Sequence, residues 1–244
     1  MKRTFADLHL RPNSTDPAQM AKLARKASEL GYKMVATPLP PTASAEEIRK
    51  LKAICSEVGL DFVSRADIRP RNQNDLLTLL RKLRRRFEVL CVLCETKEIA
   101  RQAAKDHRVD LLCFPSLDYR KRFFDRAEAE LASGGAAAFE VDIKPILVLE
   151  GPTRVRFMST LRREVSVALE FRVPIIVSSG AIETLLLRKP RETALLASLF
   201  GLTGSEALDA VSTNPTDLVQ RNREKLRPDF VAPGIRLIKK GEDC

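Results

Sequence analysis

The chain has 244 residues, enough for one large domain, and its hydrophobic fraction of 44% excludes wholesale disorder. Lysine and arginine number 42 against 32 aspartates and glutamates, a net charge of +10 that favours polyanionic partners, RNA or DNA before acidic membranes. No run reaches the roughly 18 uncharged apolar residues of a membrane span, and the opening Met1-Lys-Arg-Thr-Phe-Ala-Asp7 carries no apolar targeting run, so a cytoplasmic protein is expected.

Strand-like and helix-like segments alternate along the chain. Residues 4–10 read as a first strand. Asp16-Pro17 then starts a helix over 17–30, with aspartate as N-cap, proline at the first helical position and Gly31 as the stop. Lys33–Leu39 is a second strand. The following helix, from about Ser44 to Val58, opens on the capping box Ser44-Ala-Glu-Glu47 and ends at Gly59. Leu60–Ile68 with Asn74–Arg85, Glu88–Cys94 with Thr96–Asp106, and Val109–Phe114 with Tyr119–Ala132 form the third to fifth strand–helix pairs. Ala138–Leu149 reads as a sixth strand before a helix over Thr153–Phe171, and Pro174–Ser178 as a seventh strand. Helices near Glu192–Phe200, 204–211 and 215–225 follow, then a last strand at Ile235–Ile238. No internal boundary or repeat interrupts this pattern. One domain over 1–244 is expected, with a short tail at about 239–244.

The apolar runs VLCVL, VDLLCF, IKPILVL and VPIIV are nearly continuous, as in strands covered by helices on both faces. About eight strand–helix units with short loops predict an α/β fold, a TIM-like (β/α) barrel. A doubly wound open sheet is the alternative, but no Gly-x-Gly-x-x-Gly follows the first strand.

The strand Val173-Pro-Ile-Ile-Val-Ser-Ser-Gly-Ala181 delivers Ser178, Ser179 and a glycine to its C-terminal end, and Arg188-Lys-Pro-Arg191 follows as a basic helix start. Hydroxyls, flexible backbone and nearby cations suit a phosphate-bearing partner. Asp7-Leu-His9-Leu-Arg11 lies at the end of the first strand, where barrel chemistry is usually placed. It resembles the Asp-Leu-His-x-His start of metal-dependent phosphoesterases of the polymerase-and-histidinol-phosphatase group. Arg11 replaces the second histidine, however, and His9 and His107 are the only two in the chain. Such sites gather several imidazoles, so no metal site is expected and His9 reads as a hydrogen-bonding residue of the rim. The rival enzyme reading is a metal-dependent phosphoesterase acting on a small molecule, with a carboxylate-rich site of Asp7, His9, Asp67, Glu140 and Asp142.

The five cysteines read as small core residues under reducing conditions. Cys91 and Cys94, three apart on a strand, point to opposite faces and cannot grip one ion. Glu140, Asp142 and Lys144 alternate on the sixth strand and so share a face, which predicts a Glu–Lys or Asp–Lys pair. Arg81-Lys-Leu-Arg-Arg-Arg86 is a basic helix end, either solvated or RNA-binding. Tyr119-Arg-Lys-Arg122 offers an aromatic for base stacking beside three cations, with Arg122 also a candidate for structural capping. On the long helix, Arg156 and Arg163 share a face, while Val155, Met158, Leu161, Val165 and Leu169 are expected to pack against the sheet.

Six segments together resemble the 30-kDa subunit family of archaeal ribonuclease P, also called protein component 3. They are Asp7–Arg11, Phe139–Ile146, Ile176–Ala181, Arg188–Ala197, Phe200–Leu202 and Val211–Pro215. The resemblance implies a TIM-like barrel related to the phosphoesterases above but without their metal cluster. It implies a subunit of the endonuclease that removes 5′ leaders from precursor tRNA, inactive by itself, with Mg²⁺-dependent cleavage performed by the RNA subunit. It further implies a small ferredoxin-like protein partner, in a heterotetramer, and RNA-binding roles for Arg120, Lys144, Arg154, Arg188 and Arg191. No catalytic residue and no cofactor of the protein itself is implied; Asp7, His9, Ser178 and Ser179 are motif residues with no assigned role.

Overall fold

The computed structural model describes residues 3–13, 16–232 and 235–237. Its central sheet consists of β1 (Ala6–Asp7), β2 (Met34–Leu39), β3 (Asp61–Ile68), β4 (Val89–Leu93), β5 (Leu111–Cys113), β6 (Ala138–Asp142) and β7 (Ile175–Ser178). All seven are parallel, and each lies beside its neighbour in sequence. Successive side chains alternate between two cores. Val63, Val89, Cys91, Leu111 and Ile176 point inward to one cluster, while Phe139, Leu90, Leu112 and Val177 point outward to the helix layer. The barrel is therefore packed on both faces, as the uninterrupted apolar runs require.

The helices are α1 (Pro17–Leu30), α2 (Ala45–Glu57), α3 (Gln73–Leu83), α4 (Lys97–Lys105), α5 (Arg126–Ser133), α6 (Lys144–Val148), α7 (Gly151–Glu170), α8 (Pro190–Ser198), α9 (Gly204–Ala210) and α10 (Thr213–Leu226). Their starts follow the cap chemistry. Asp16 accepts from the amides of Ala18 and Gln19 at 3.0 and 3.1 Å, and Ser44 and Glu47 close their capping box at 2.6 and 3.1 Å. Leu218 and Val219 of α10 enter the inner cluster and plug the barrel floor, each contributing about 1.5–3 kcal/mol by burial.

Among the described residues no eighth barrel strand forms. Ile235–Arg236 pairs antiparallel with Phe230–Ala232 in a separate two-stranded sheet, and the tail expected at 239–244, like Ile238, lies outside the described residues. The segment Val211-Ser-Thr-Asn214 serves the seam between β7 and β1 instead. Val211 accepts from the Ala6 amide at 3.0 Å, and Asn214 donates its side-chain amide to the Ile175 carbonyl at 2.8 Å. Two edge groups that a strand would satisfy are thus paired by loop and side chain.

Two further expectations change. The sixth strand stops at Asp142 rather than Leu149, because Pro145 has no amide for a ladder and suits the first turn of α6. The single helix expected over 119–132 divides into a short 3-10 turn at Tyr119–Lys121 and α5, whose start is fixed by Asp125 accepting from the Glu128 amide at 2.9 Å. Between them Phe124 stacks on Phe139 at 4.4 Å between ring centres.

Glu128 of α5 is wholly buried and its carboxylate oxygens lack hydrogen-bond partners, although Arg101 Nε stands 3.5 Å from one of them. Burial pushes its pKa up to about 8, with Arg101 offsetting only part of that rise. A carboxyl that titrates near 4.3 when unfolded and near 8 when folded loses stability progressively as pH climbs between those values. Glu128→Gln removes this penalty. Thermal unfolding should show the variant several degrees above wild type at about pH 9 and level with it near pH 4.

Candidate functional site

The C-terminal ends of the strands open into a cavity of about 270 Å³ lined by His9, Arg11, Asp67, Arg69, Glu140, Asp142 and Lys144 among others. Its floor is organised by Arg65, an inward-facing residue of β3 that is 0% exposed. Nη1 and Nη2 of Arg65 each donate to one oxygen of Glu140 at 2.6 Å, and Nε donates to Asp67 at 2.7 Å. Nη1 also reaches the Leu8 carbonyl at 2.7 Å. Glu140 in turn accepts from the Ser178 hydroxyl at 2.9 Å. One guanidinium therefore ties β3 and β6 to the end of β1 and, through Glu140, to β7. Burial alone opposes a charge on Arg65, but Asp67 and Glu140 outweigh it and hold the guanidinium ionised.

The motif residues of unassigned role all enter this structure. Asp7 accepts from the His9 amide at 3.1 Å and from the Ser179 amide at 3.0 Å, so it fastens β1 to the loop after β7. Arg11 N–H to the Ala181 carbonyl, at 2.8 Å, repeats the tie one step higher. Burial raises the pKa of Asp7, whose second oxygen has no partner. His9 donates Nδ1–H to Asp142 at 2.8 Å and places Nε2 3.3 Å from Asp67. Gly180 has φ of 63°, and a Cβ there would stand 2.9 Å from the Asp142 carboxyl carbon, so glycine is required for this approach. The paired serines thus act within the fold: Ser178 on Glu140, and Ser179 through its backbone on Asp7 and its hydroxyl on the Ala181 amide at 3.1 Å.

The expected acid–lysine pair on the sixth strand is not the one found. Lys144 lies past the strand end, on the first turn of α6, and Glu140 pairs with Arg65 instead. The sequence does carry a signal for Arg65: an arginine on the same face of β3 as Val63, two residues before Asp67.

The basic clusters separate into bonded and outward-facing members. Arg122 is buried against Glu164 at 2.5 Å and lies over the Phe157 ring, so its role is structural. Arg84 binds the carbonyls of Arg108, Phe87 and Glu88 as well as Asp110, and Arg86 those of Pro41 and Ala43. Val155 is 68% exposed rather than packed on the sheet; Phe157, Leu161, Glu164 and Val165 form the buried stripe of α7. Cys91 joins the inner core and Cys94 the outer one, as their spacing requires.

Of the five RNA-binding candidates, Lys144 lines the mouth beside Arg11 and Arg69. Arg120 follows β5, exposed Arg154 stands in the first turn of α7 after β6, and Arg188 and exposed Arg191 flank the start of α8 after β7. Arg154 and Arg120 do not line the mouth cavity. All five belong to the loops and helix starts that follow strand C-termini, which places them at one end of the barrel. Arg188 also donates to the carbonyls of Leu185 and Leu187 at 2.7 and 2.9 Å.

In fold this is a TIM-like (β/α) barrel, with a charge-paired floor and a cationic rim. The chain belongs to the RNase P subunit p30 family, whose model matches residues 4–227. Ribonuclease P protein component 3 of Methanosarcina barkeri is 30% identical over 235 residues, covering 92% of this chain and 90% of that protein. A chain in a cryo-EM structure of archaeal ribonuclease P with mature tRNA has the same fold, with a TM-score of 0.82 at 20% identity, covering 97% of this chain and 99% of that one. An amidohydrolase crystal structure shares the architecture at a TM-score of 0.55 and 9% identity, over 96% of this chain and 77% of the other.

Burial and the nearby Arg65 oppose protonation of His9, but Asp142 and Glu140 outweigh them and lift its pKa well above the ordinary range. A histidine raised in this way contributes stability that is complete below its unfolded pKa of about 6.5 and vanishes as pH rises through its folded value. His9→Gln should therefore lower Tm most at about pH 6 and progressively less at alkaline pH. A constant gap across that range would contradict a charged His9.

Proposed function

We propose that the chain works as an RNA-binding protein subunit of ribonuclease P, the ribonucleoprotein that removes 5′ leaders from precursor tRNA. The single observation that carries this reading, beyond family membership, is the common placement of the cations. Arg120, Lys144, Arg154, Arg188 and Arg191 follow β5, β6 and β7, and Arg11 and Arg69 extend the same rim after β1 and β3. A catalytic RNA folds against its own phosphate repulsion. Cations at one end of a rigid barrel lower the Mg²⁺ needed to reach the active shape. Interactions of this kind go to backbone and shape, with modest sequence preference.

Cleavage is assigned to the RNA. The carboxylates of the mouth are engaged by Arg65, His9, Ser178 and the Ser179 amide, which supports an isolated chain without catalysis or a cofactor of its own. A small ferredoxin-like protein completes the proposed assembly, as a heterotetramer. Val155 on α7 and Leu195 on α8, with Leu199 at the end of α8, are exposed. The two helices are joined by Arg162 donating to the Leu199 carbonyl at 2.8 Å, which supports this surface as the partner's seat.

Reconstitution with the RNA and companion proteins tests the reading. Omitting this chain should abolish processing at limiting Mg²⁺. Lys144→Ala, Arg188→Ala and Arg191→Ala should each cut activity several-fold there and recover at high Mg²⁺. Removing one phosphate-neutralising cation should also flatten the salt dependence of RNA binding by about one unit of slope. An unchanged Mg²⁺ optimum in all three variants would overturn direct RNA binding by this rim.

A further inference from the structure

The mouth holds a donor set of the kind that binds divalent ions. His9, Glu140 and Asp142 each bring a ligand atom within 4.8 Å of the others, and Asp67 lies beside them. His9, only 3% exposed, stands between the carboxylates: Nδ1 is 2.8 Å from Asp142 and 3.9 Å from Glu140, and Nε2 is 3.3 Å from Asp67. Nε2 is near Asp67 but misaligned for a bond.

The residues nevertheless do not fit a metal, because a cation is already built in. Arg65 enters the set from β3, occupies both oxygens of Glu140 and one of Asp67, and also donates to the Leu8 carbonyl. A divalent ion drawn to the same oxygens would meet a fixed, fully desolvated guanidinium and would displace its hydrogen bonds. Asp7, Cys91 and Ser178 also stand around this point, and Arg11, Arg69 and Lys144 add further positive charge from the rim of the same cavity.

We propose that Arg65 is the resident cation of this barrel, standing where a divalent metal would stand, and that it masks a latent metal site formed by His9, Asp67, Glu140 and Asp142. The guanidinium supplies the charge compensation and cross-bracing of a metal without an exchangeable coordination position, so the mouth keeps its shape and gains no Lewis acid. Exposure of the carboxylate set alone should create affinity for divalent transition ions, which oxygen and imidazole donors suit. This inference stands independently of RNA binding.

The test uses the purified full chain, wild type, Arg65→Ala, Arg65→Met and Arg65→Ala with Asp142→Asn. Each is incubated with Mn²⁺ or Zn²⁺, desalted and measured for bound metal and for Tm. Wild type should retain almost no metal and show no rise in Tm. Arg65→Ala should melt lower than wild type without metal, retain about one equivalent, and regain several degrees when the ion is present. The added Asp142→Asn should abolish both gains. Arg65→Met fills the guanidinium's space and should stay metal-poor. Stoichiometric metal in the wild type that His9→Gln removes would overturn the proposal. So would an Arg65→Ala protein that binds no ion, or one that stays unfolded even with metal present, since the ion should replace what the guanidinium ties together.

Discussion

The bidentate pairing of Arg65 with Glu140 is the interaction on which the rest of the barrel mouth is arranged. Both side chains are fully buried, and moving either charge out of water is penalised by several kcal/mol unless its partner and hydrogen bonds are complete. That requirement explains the company around them. Asp67 and the Leu8 carbonyl engage two further guanidinium donors, Ser178 donates to a Glu140 oxygen, and His9 spans Asp142 and Asp67. Satisfaction of one buried ion thus propagates across the strand ends of the mouth.

This floor also defines what the rim can do. Acidic groups below are held by internal cations, whereas Arg11, Arg69 and Lys144 stand above them at the cavity edge. The carboxylates that share the cavity with these cations are paired internally with Arg65 and His9.

Much of this is legible in the sequence. Cap residues such as Asp16 and Ser44 fix local helix starts by hydrogen bonds within a few residues, so their signals are read directly. Continuous apolar runs reveal strands covered on both sides. The pairing at the seam between β7 and β1 is not legible, because it is made by Val211 and Asn214, whose hydrogen bonds cross some 39 to 205 positions of chain. The role of Arg65 escapes a local reading for the same reason: it lies 75 residues from Glu140, and no short-range pattern pairs them. Lys144 reads as a strand residue when alternation with Glu140 and Asp142 outweighs Pro145, whose missing amide favours a helix start. Conversely, Arg84 and Arg86, which read as solvated or RNA-binding, and Arg122, which reads as RNA-binding or capping, are engaged by backbone carbonyls and buried acids. Charge in a sequence shows supply; only the fold shows what remains.

A double-mutant cycle on Arg65 and Glu140, using methionine and glutamine replacements, measures the central ion pair most directly. Each single change should destabilise the fold by about 3–5 kcal/mol in denaturant titrations, because it strands one buried charge. The double variant should be no worse than either single one. Strictly additive losses would mean that the two side chains do not depend on each other, and the barrel mouth would not be organised by their pairing.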